Sequence, residues 1–393
     1  MPVGDTVVDH RDWLERLQLA HFDPSSPAMP YWLPAGMVAM RALREHWLQE
    51  HLAAGYVEMS GPQLADELLF DRSGHGAHYR SDMFWAHRFG LKPMSCPGAM
   101  LVFRSRRRSY RELPLRLYCE DLLHRREPSG SLNGLLRAQE FRQDDAHLFV
   151  TEGQVQQELA AVLALAATLY GRFHLSFRHR LGTAPTDRLG DGATWERAVG
   201  TLRQTLDDVA GRGGYEMADG EGSFYAPKVD LLMTDSIGRE WQTGTVQLDL
   251  VLPGRLGCHY ISPSGAREVP VLIHRAIAGS FERFLALLLE QRNGLLPAPL
   301  CPVQVLICPV QLRHVPGAEV FASRLRAAGA RVEVGDARRT VSALVRLASE
   351  RRIPCVAVVG GRELESGRLA VRRGDGTSRL VGPEELAREV TTW

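Results

Sequence analysis

The spacing of apolar and polar residues divides the chain into a long α+β stretch and a shorter, regularly alternating one. Pro24, Pro27, Pro30 and Pro34 predict an extended entry, since each fixes φ and removes a backbone donor. Met37 to Ala54 carries an apolar face at helical spacing and closes on Ala53-Ala54-Gly55, which predicts an amphipathic helix. The strand-like GYVEMSGPQL follows. Strands and turns dominate from Leu113 to Phe149, and Gln154 to Phe173 reads as a strong helix. A mixed stretch then leads to a strand pair near Asp230 and Val246. Ala276 to Glu290 reads as a helix carrying Arg283. Asn293 to Pro299, NGLLPAP, has the composition of a linker. Beyond it come strand VQVLIC, a helix near Glu319 to Ala328, strand RVEV, a helix near Thr340 to Arg351, strands CVAVVG and RLAVRR, and a helix from Pro383. This predicts domains over residues 1–297 and 298–393, the second a small α/β unit.

One run breaks the expected pattern. Leu123 to Phe149, LHRREPSGSLNGLLRAQEFRQDDAHLF, reads as two polar-studded strands joined by a Gly/Ser/Asn turn, with Arg125 and Arg137 beside it. Gln143, Asp145 and His147 fall at i, i+2 and i+4 and share one strand face, bracketed by Phe141 and Phe149. A buried strand puts apolar residues there, so a polar centre between aromatics suggests the floor of a site. Arginines paired across a hairpin suit a polyphosphate, because guanidinium forks bind oxygens bidentately. The alternative is a half-exposed hairpin with surface arginines and an ordinary solvated acid at Asp145. With Asp144 beside it on the other face, only one of the two acids is expected to point inward.

Composition adds bounds. An apolar content of 45% and a charged content of 24% over 393 residues are ordinary for a globular enzyme of two or three domains. The net charge of +1 gives no global basic field, so any nucleic-acid contact must use local patches. The six cysteines have no paired short spacing, which fits a reducing cytoplasm better than a disulfide framework. The N-terminus MPVGDTVVDHRDW lacks the pattern of a signal peptide, and no apolar stretch is long enough to span a membrane. Of the 47 Lys and Arg residues, only Lys92 and Lys228 are lysines. A compact ammonium is not replaced by a planar fork without moving the charge, which points to Lys228 as functional and to Lys92 as positioning the turn before Cys96.

The run from Leu123 resembles motif 2 of the class II aminoacyl-tRNA synthetases, in the version found in threonyl-tRNA synthetases. Other segments agree in the same order: DHRDWLERLQL at Asp9, SGHGAHYRSDMF at Ser73, LKPMSCPGAM at Leu91, YRELPLRLY at Tyr110, GEGSFYAPKVD at Gly220, GREWQTGTVQLDLVLP at Gly238 and VPVLIHRAIAGSFERF at Val269. The last of these ends in Gly279-Ser280-Phe281-Glu282-Arg283, which resembles motif 3. The resemblance implies an antiparallel catalytic sheet flanked by helices, an anticodon-binding-like α/β domain after it, and a homodimer built on the Met37–Ala54 helix and the strand after it.

It also implies roles. Cys96, His147 and His274 match the ligands of a catalytic Zn2+; three protein ligands leave an open position for substrate. Threonine and valine are near-isosteres that a shape-only pocket separates poorly, whereas a metal that takes the side-chain hydroxyl rejects valine. Asp145 is placed to accept from that hydroxyl, with Gln143, Tyr225 and Gln247 as further amino-acid contacts. Arg125 and Arg283 match the arginines on the α- and γ-phosphates of a bent Mg-ATP, with Glu127, Arg137 and Gln242 supporting adenine, phosphate and Mg2+ contacts. His75 matches a histidine implicated in transfer to the tRNA ribose, and Lys228 completes the catalytic set. Glu363 and Arg372 match anticodon contacts.

The match departs locally. Ser95 and Ala99 flank Cys96-Pro97-Gly98 where Asn and His are usual, Gln139-Glu140 replaces Arg-Gly, Asn133 replaces a histidine, and Arg338-Arg339-Thr340 replaces Asn-Glu-Lys. Only a short lead precedes the motifs, so the chain is expected to lack the family's N-terminal and editing domains and to activate serine without correction in cis. The expected activity is cytoplasmic threonine–tRNA ligation in protein biosynthesis from L-threonine, ATP and tRNA(Thr), in a housekeeping, specialised or resistance copy. The alternatives are a threonine-activating enzyme serving a non-tRNA acceptor such as a carrier protein, and a non-enzymatic RNA-binding or regulatory paralogue.

Overall fold

The computed structural model describes residues 9–235, 238–373 and 377–393; the first eight residues, on which the absence of a signal peptide partly rested, lie outside these. The chain forms two compact units, one of residues 22–30 and 46–287, the other of residues up to 21 with 31–45 and 288–393.

The larger unit is built on a nine-stranded sheet. Its strands are β1 (Val57–Glu58), β2 (Leu115–Cys119), β3 (Leu122–His124), β4 (Glu140–Val150), β5 (Arg178–Gly182), β6 (Tyr215–Ala218), β7 (Lys228–Thr234), β8 (Glu240–Asp249) and β9 (Val271–Ser280). The order is β6-β5-β7-β8-β9-β4-β2-β1, with β3 on the early residues of β4. All pairs are antiparallel except β5–β6 and β1–β2. Helices α2 (Cys96–Arg104), α3 (Val155–Arg172) and α4 (Gly192–Ala210) belong to this unit, with residues 46–53 of α1 (Pro34–Ala53) and 281–287 of α5 (Phe281–Gln291). α3 buries Val155, Leu159, Val162, Ala166 and Leu169, the stripe its helical spacing requires.

Three expectations change. Residues 276–280, read as the start of a helix, are the end of β9, and the helix begins at Phe281. The Ala276-Ile277-Ala278 segment is buried between β8 and β4, and a central strand loses the alternation that distinguishes it from a buried helix. The long strand after α1 shrinks to Val57–Glu58, with a separate short strand at Leu64–Asp66 beyond Pro62. The mixed stretch holds the 19-residue α4, opened by the Asp191 side chain capping Thr194 N.

In the second unit, β10 (Val305–Pro309), β11 (Val332–Val334), β12 (Cys355–Val359), β13 (Leu369–Arg373) and β14 (Ser378–Val381) form a sheet of order β11-β10-β12-β13-β14. The first three are mutually parallel and the last two antiparallel. Helices α6 (Val315–Ala327) and α8 (Pro383–Thr391) pack an apolar core that includes Val305, Phe321, Leu325 and Leu386, and α7 (Val341–Glu350) packs Leu344 and Ala348 into a second one with Leu306 and Val356.

Candidate active site

A cavity of ≈850 Å3 opens on the face formed by the middle strands β4, β8 and β9. Arg125, Arg137 and Arg283 line one region of it, and Cys96, His147 and His274 also lie on its wall.

Two sheet irregularities shape the arginine region. Pairing of β4 with β9 shifts between Gln143 and Asp145, and pairing of β7 with β8 shifts between Leu231 and Leu232. Gly279 sits at the first shift with φ 67°, and a Cβ there would lie 2.1 Å from Thr243 O, so only glycine fits. The chain then turns into α5, which delivers Arg283. Its Nε donates to Leu136 O at 2.7 Å and Nη1 to Gln242 O at 2.6 Å. Burial, with Arg125 and Arg137 nearby, pushes the Arg283 pKa down to about 10: three cations share a low-dielectric wall, and the Glu127 carboxylate offsets them only in part. Arg125 donates from Nε to Pro93 O and lies over the Phe141 ring at 5.1 Å. Arg137 is paired with Glu127 at 2.7 Å.

At the donor trio, Cys96 opens α2, while His147 and His274 are directly opposed across β4 and β9. One ligand atom from each lies within 4.8 Å of the others. Burial pushes the Cys96 thiol well above and the His147 imidazole well below their usual values. His147 Nδ1 is buried without a hydrogen-bond partner. His274 is oriented by Asp249, whose Oδ2 lies 2.9 Å from its Nε2. Sulfur and imidazole donors at this spacing, one of them orphaned and another braced by a carboxylate, fit a Zn2+ with an open cavity side.

Asp145 lines the same cavity and is not a solvated acid; burial raises its pKa to about 7, against the lowering effect of His274 and Arg275. Asp144 does not face solvent either. On the other side of the sheet it bonds Arg275 Nη1 at 2.7 Å, Trp47 Nε1 at 2.8 Å and the amides of Ile277 and Ala278. Of the pair only Asp145 points into the cavity, as the alternation along the strand requires, and Asp144 is buried as well because the other sheet face is also covered. Gln143 lines the cavity with Oε1 buried and unpartnered. Tyr225 Oη donates to Gln247 Oε1, and Gln247 sits opposite His274 in the register.

Two predicted catalytic groups are not on the cavity wall. His75 is fully buried: Nδ1 lies 2.8 Å from Ser73 Oγ and Nε2 3.6 Å from Cys96 Sγ. It packs against Cys96 and Met94 and has no exposed surface in this arrangement. Lys228 Nζ lies 3.0 Å from Asp230 Oδ2. Lys92 bridges Asp121 at 2.5 Å and Gly61 O at 2.9 Å, a buried brace ahead of Cys96. In the second unit Arg372 is exposed on β13, whereas the Glu363 carboxylate accepts from Gly360 N and closes the start of the Gly361–Ser366 helix.

Three residues escaped the sequence reading. Asp249 follows Gln247 at strand spacing and interrupts the apolar LDLVLP, a signal that was available. Thr245 lines the cavity with its hydroxyl buried and unpartnered. Asp230 is buried among polar partners that no spacing announces.

This fold and site define the chain's class. Residues 79–292, over half of it, match the tRNA synthetase class II core domain (G, H, P, S and T), and residues 304–393 match an anticodon binding domain; the chain belongs to the class II tRNA synthetases. Within that class it is 41% identical over 375 residues to a protein of Thermotoga neapolitana named threonine–tRNA ligase, covering 94% of this chain and 58% of the relative. A protein of the same name from Desulfosudis oleivorans is 41% identical over 397 residues, covering 98% and 62%. The chain thus spans about three-fifths of these relatives' length. The crystal structure of the RNA binding domain of threonyl-tRNA synthetase from Cryptosporidium parvum Iowa II superposes with a TM-score of 0.92 at 34% identity, covering 98% of both chains. A putative threonyl-tRNA synthetase from Aeropyrum pernix gives 0.83 at 28% identity, covering 98% of this chain and 97% of the other.

Proposed function

We propose that the chain is a threonine–tRNA ligase that forms threonyl-adenylate from L-threonine and Mg-ATP and esterifies the terminal ribose of tRNA(Thr). The observation that carries this is one cavity with a cationic wall and a Cys/His/His donor set. Cys96, His147 and His274 would hold Zn2+, which when bound supplies a Lewis-acidic position for the amino and hydroxyl groups of threonine. Asp145 accepts a hydrogen bond from the threonine hydroxyl, and Gln143, Tyr225 and Gln247 enclose the amino acid. Arg125 and Arg283 orient the phosphates, so that a threonine carboxylate oxygen attacks the α-phosphorus and pyrophosphate leaves. Glu127, Arg137 and Gln242 hold the remainder of Mg-ATP. The tRNA ribose hydroxyl then displaces AMP at the carbonyl.

Lys228 acts through Asp230, and His75 steadies Cys96. The catalytic part is residues 1–297 and the anticodon-binding part 298–393, with Arg372 and Glu363 toward tRNA. The second domain favours tRNA over a carrier protein as acceptor. Exposed Leu52, Val57, Leu64 and Leu68 support a homodimer. No helix among the described residues is long and apolar enough to cross a membrane, in keeping with a cytoplasmic role.

The test combines threonine-dependent pyrophosphate exchange with threonylation of deacylated tRNA. Both activities are expected. Exchange without tRNA label would shift the reading to a non-tRNA acceptor, and absence of both would overturn it.

A further inference from the structure

Asp230 lies fully buried on β7, where the register sets Arg180, Asp230 and Thr245 side by side across β5, β7 and β8. Its two oxygens have different partners. Oδ2 lies 3.0 Å from Lys228 Nζ and 3.2 Å from an Arg180 guanidinium nitrogen. Oδ1 accepts a 2.8 Å hydrogen bond from Gln242 Nε2. Gln242 is on the cavity wall, and its main-chain carbonyl anchors Arg283. A carboxylate held between two cations only accepts, so the Gln242 amide has one orientation, nitrogen toward Asp230 and oxygen away. Gln242 Oε1 takes no hydrogen bond from the described residues.

We infer that Asp230 is a positioning residue that sets the polarity of Gln242, so that the wall beside Arg283 offers the nucleotide a hydrogen-bond acceptor and selects a donor on it. The donor is the exocyclic amine of the base or a ribose hydroxyl. This rests on reading the cavity as the ATP site. Lys228, one of two lysines in the chain, gains a role: with Arg180 it fills the other carboxylate oxygen and leaves Oδ1 to Gln242.

The arrangement makes an inversion testable. In Asp230→Asn, Lys228 and Arg180 still demand an oxygen, so the new amide turns its nitrogen toward Gln242. Gln242 must then flip and present its own nitrogen to the cavity. Calorimetric Kd values of the full chain for ATP, inosine triphosphate, 2′-deoxy-ATP and 3′-deoxy-ATP read this without relying on turnover. The parent is expected to prefer ATP over the analogue lacking the donor by roughly tenfold, the scale of one hydrogen bond lost from a desolvated site. Asp230→Asn is expected to erase that ratio, and to reverse it for inosine triphosphate, whose carbonyl accepts where adenine donates. Gln242→Leu is expected to erase it without reversal. A change confined to the inosine ratio assigns the base amine, and one confined to a deoxy ratio assigns a ribose hydroxyl.

Parent-like ratios in a folded Asp230→Asn protein would overturn the inference, as would equal binding of all four nucleotides by the parent. If Asp230→Asn does not fold, unchanged ratios in Gln242→Leu overturn it equally. Loss of pyrophosphate exchange alongside intact nucleotide selectivity would count against the ligase reading and leave this one standing.

Discussion

Arg283 shows how single side chains set this site. Two backbone carbonyls hold its guanidinium, and its two arginine neighbours leave the wall short of negative charge. Removing it takes away both the charge and the geometry. Arg283→Ala is expected to lower the kcat/KM of threonine-dependent exchange by roughly 10²–10³-fold, the scale of one lost charge-stabilising donor. At the donor trio, Cys96→Ala is expected to abolish stoichiometric zinc, read by elemental analysis of protein purified without added metal. Asp249 acts one shell further out: one oxygen braces His274, and the other accepts from the amides of Val251 and Leu252. Asp249→Asn is expected to weaken zinc affinity by roughly 10–100-fold in a chelator competition, because it loosens the imidazole it orients.

Among the elements, β4 and β9 carry most of the argument. The face of Gln143, Asp145 and His147 was legible from a period of two, because polar residues at core spacing are conspicuous. The adjacent β9 was not, because Ala276 to Ala278 are buried on both sides and carry no period at all. His75 was located by resemblance, Lys228 also by its being one of only two lysines, and that neither lines the cavity follows from packing that no linear pattern encodes. The small domain was more readable, since short strands and amphipathic helices alternate there and most of the connections in its sequence contain Gly or Pro. The rear of β4 gives a stability prediction. Asp144→Ala would strand Arg275, fully buried and already holding two guanidinium nitrogens without partners. A loss of about 3–5 kcal/mol is expected in urea unfolding, the cost of an uncompensated buried charge.

For the whole molecule, the two matched domains predict separable readouts. Arg372→Ala, at an exposed position of β13, is expected to raise the KM for tRNA several-fold, measured against the KM for ATP, which responds to the other unit. The acids at the centre of the large sheet bear on how that sheet assembles. Asp144 and Asp145 are neighbours with non-interchangeable surroundings, one needing Arg275 and two amides, the other opening on a cavity. A slip of β4 by one residue would leave one of the two places without its acid: Gln143 would face Arg275, or Ala146 would stand on the cavity where Asp145 does. The pair therefore acts as a key for strand alignment: only one register satisfies both acids, and that register brings His147 opposite His274.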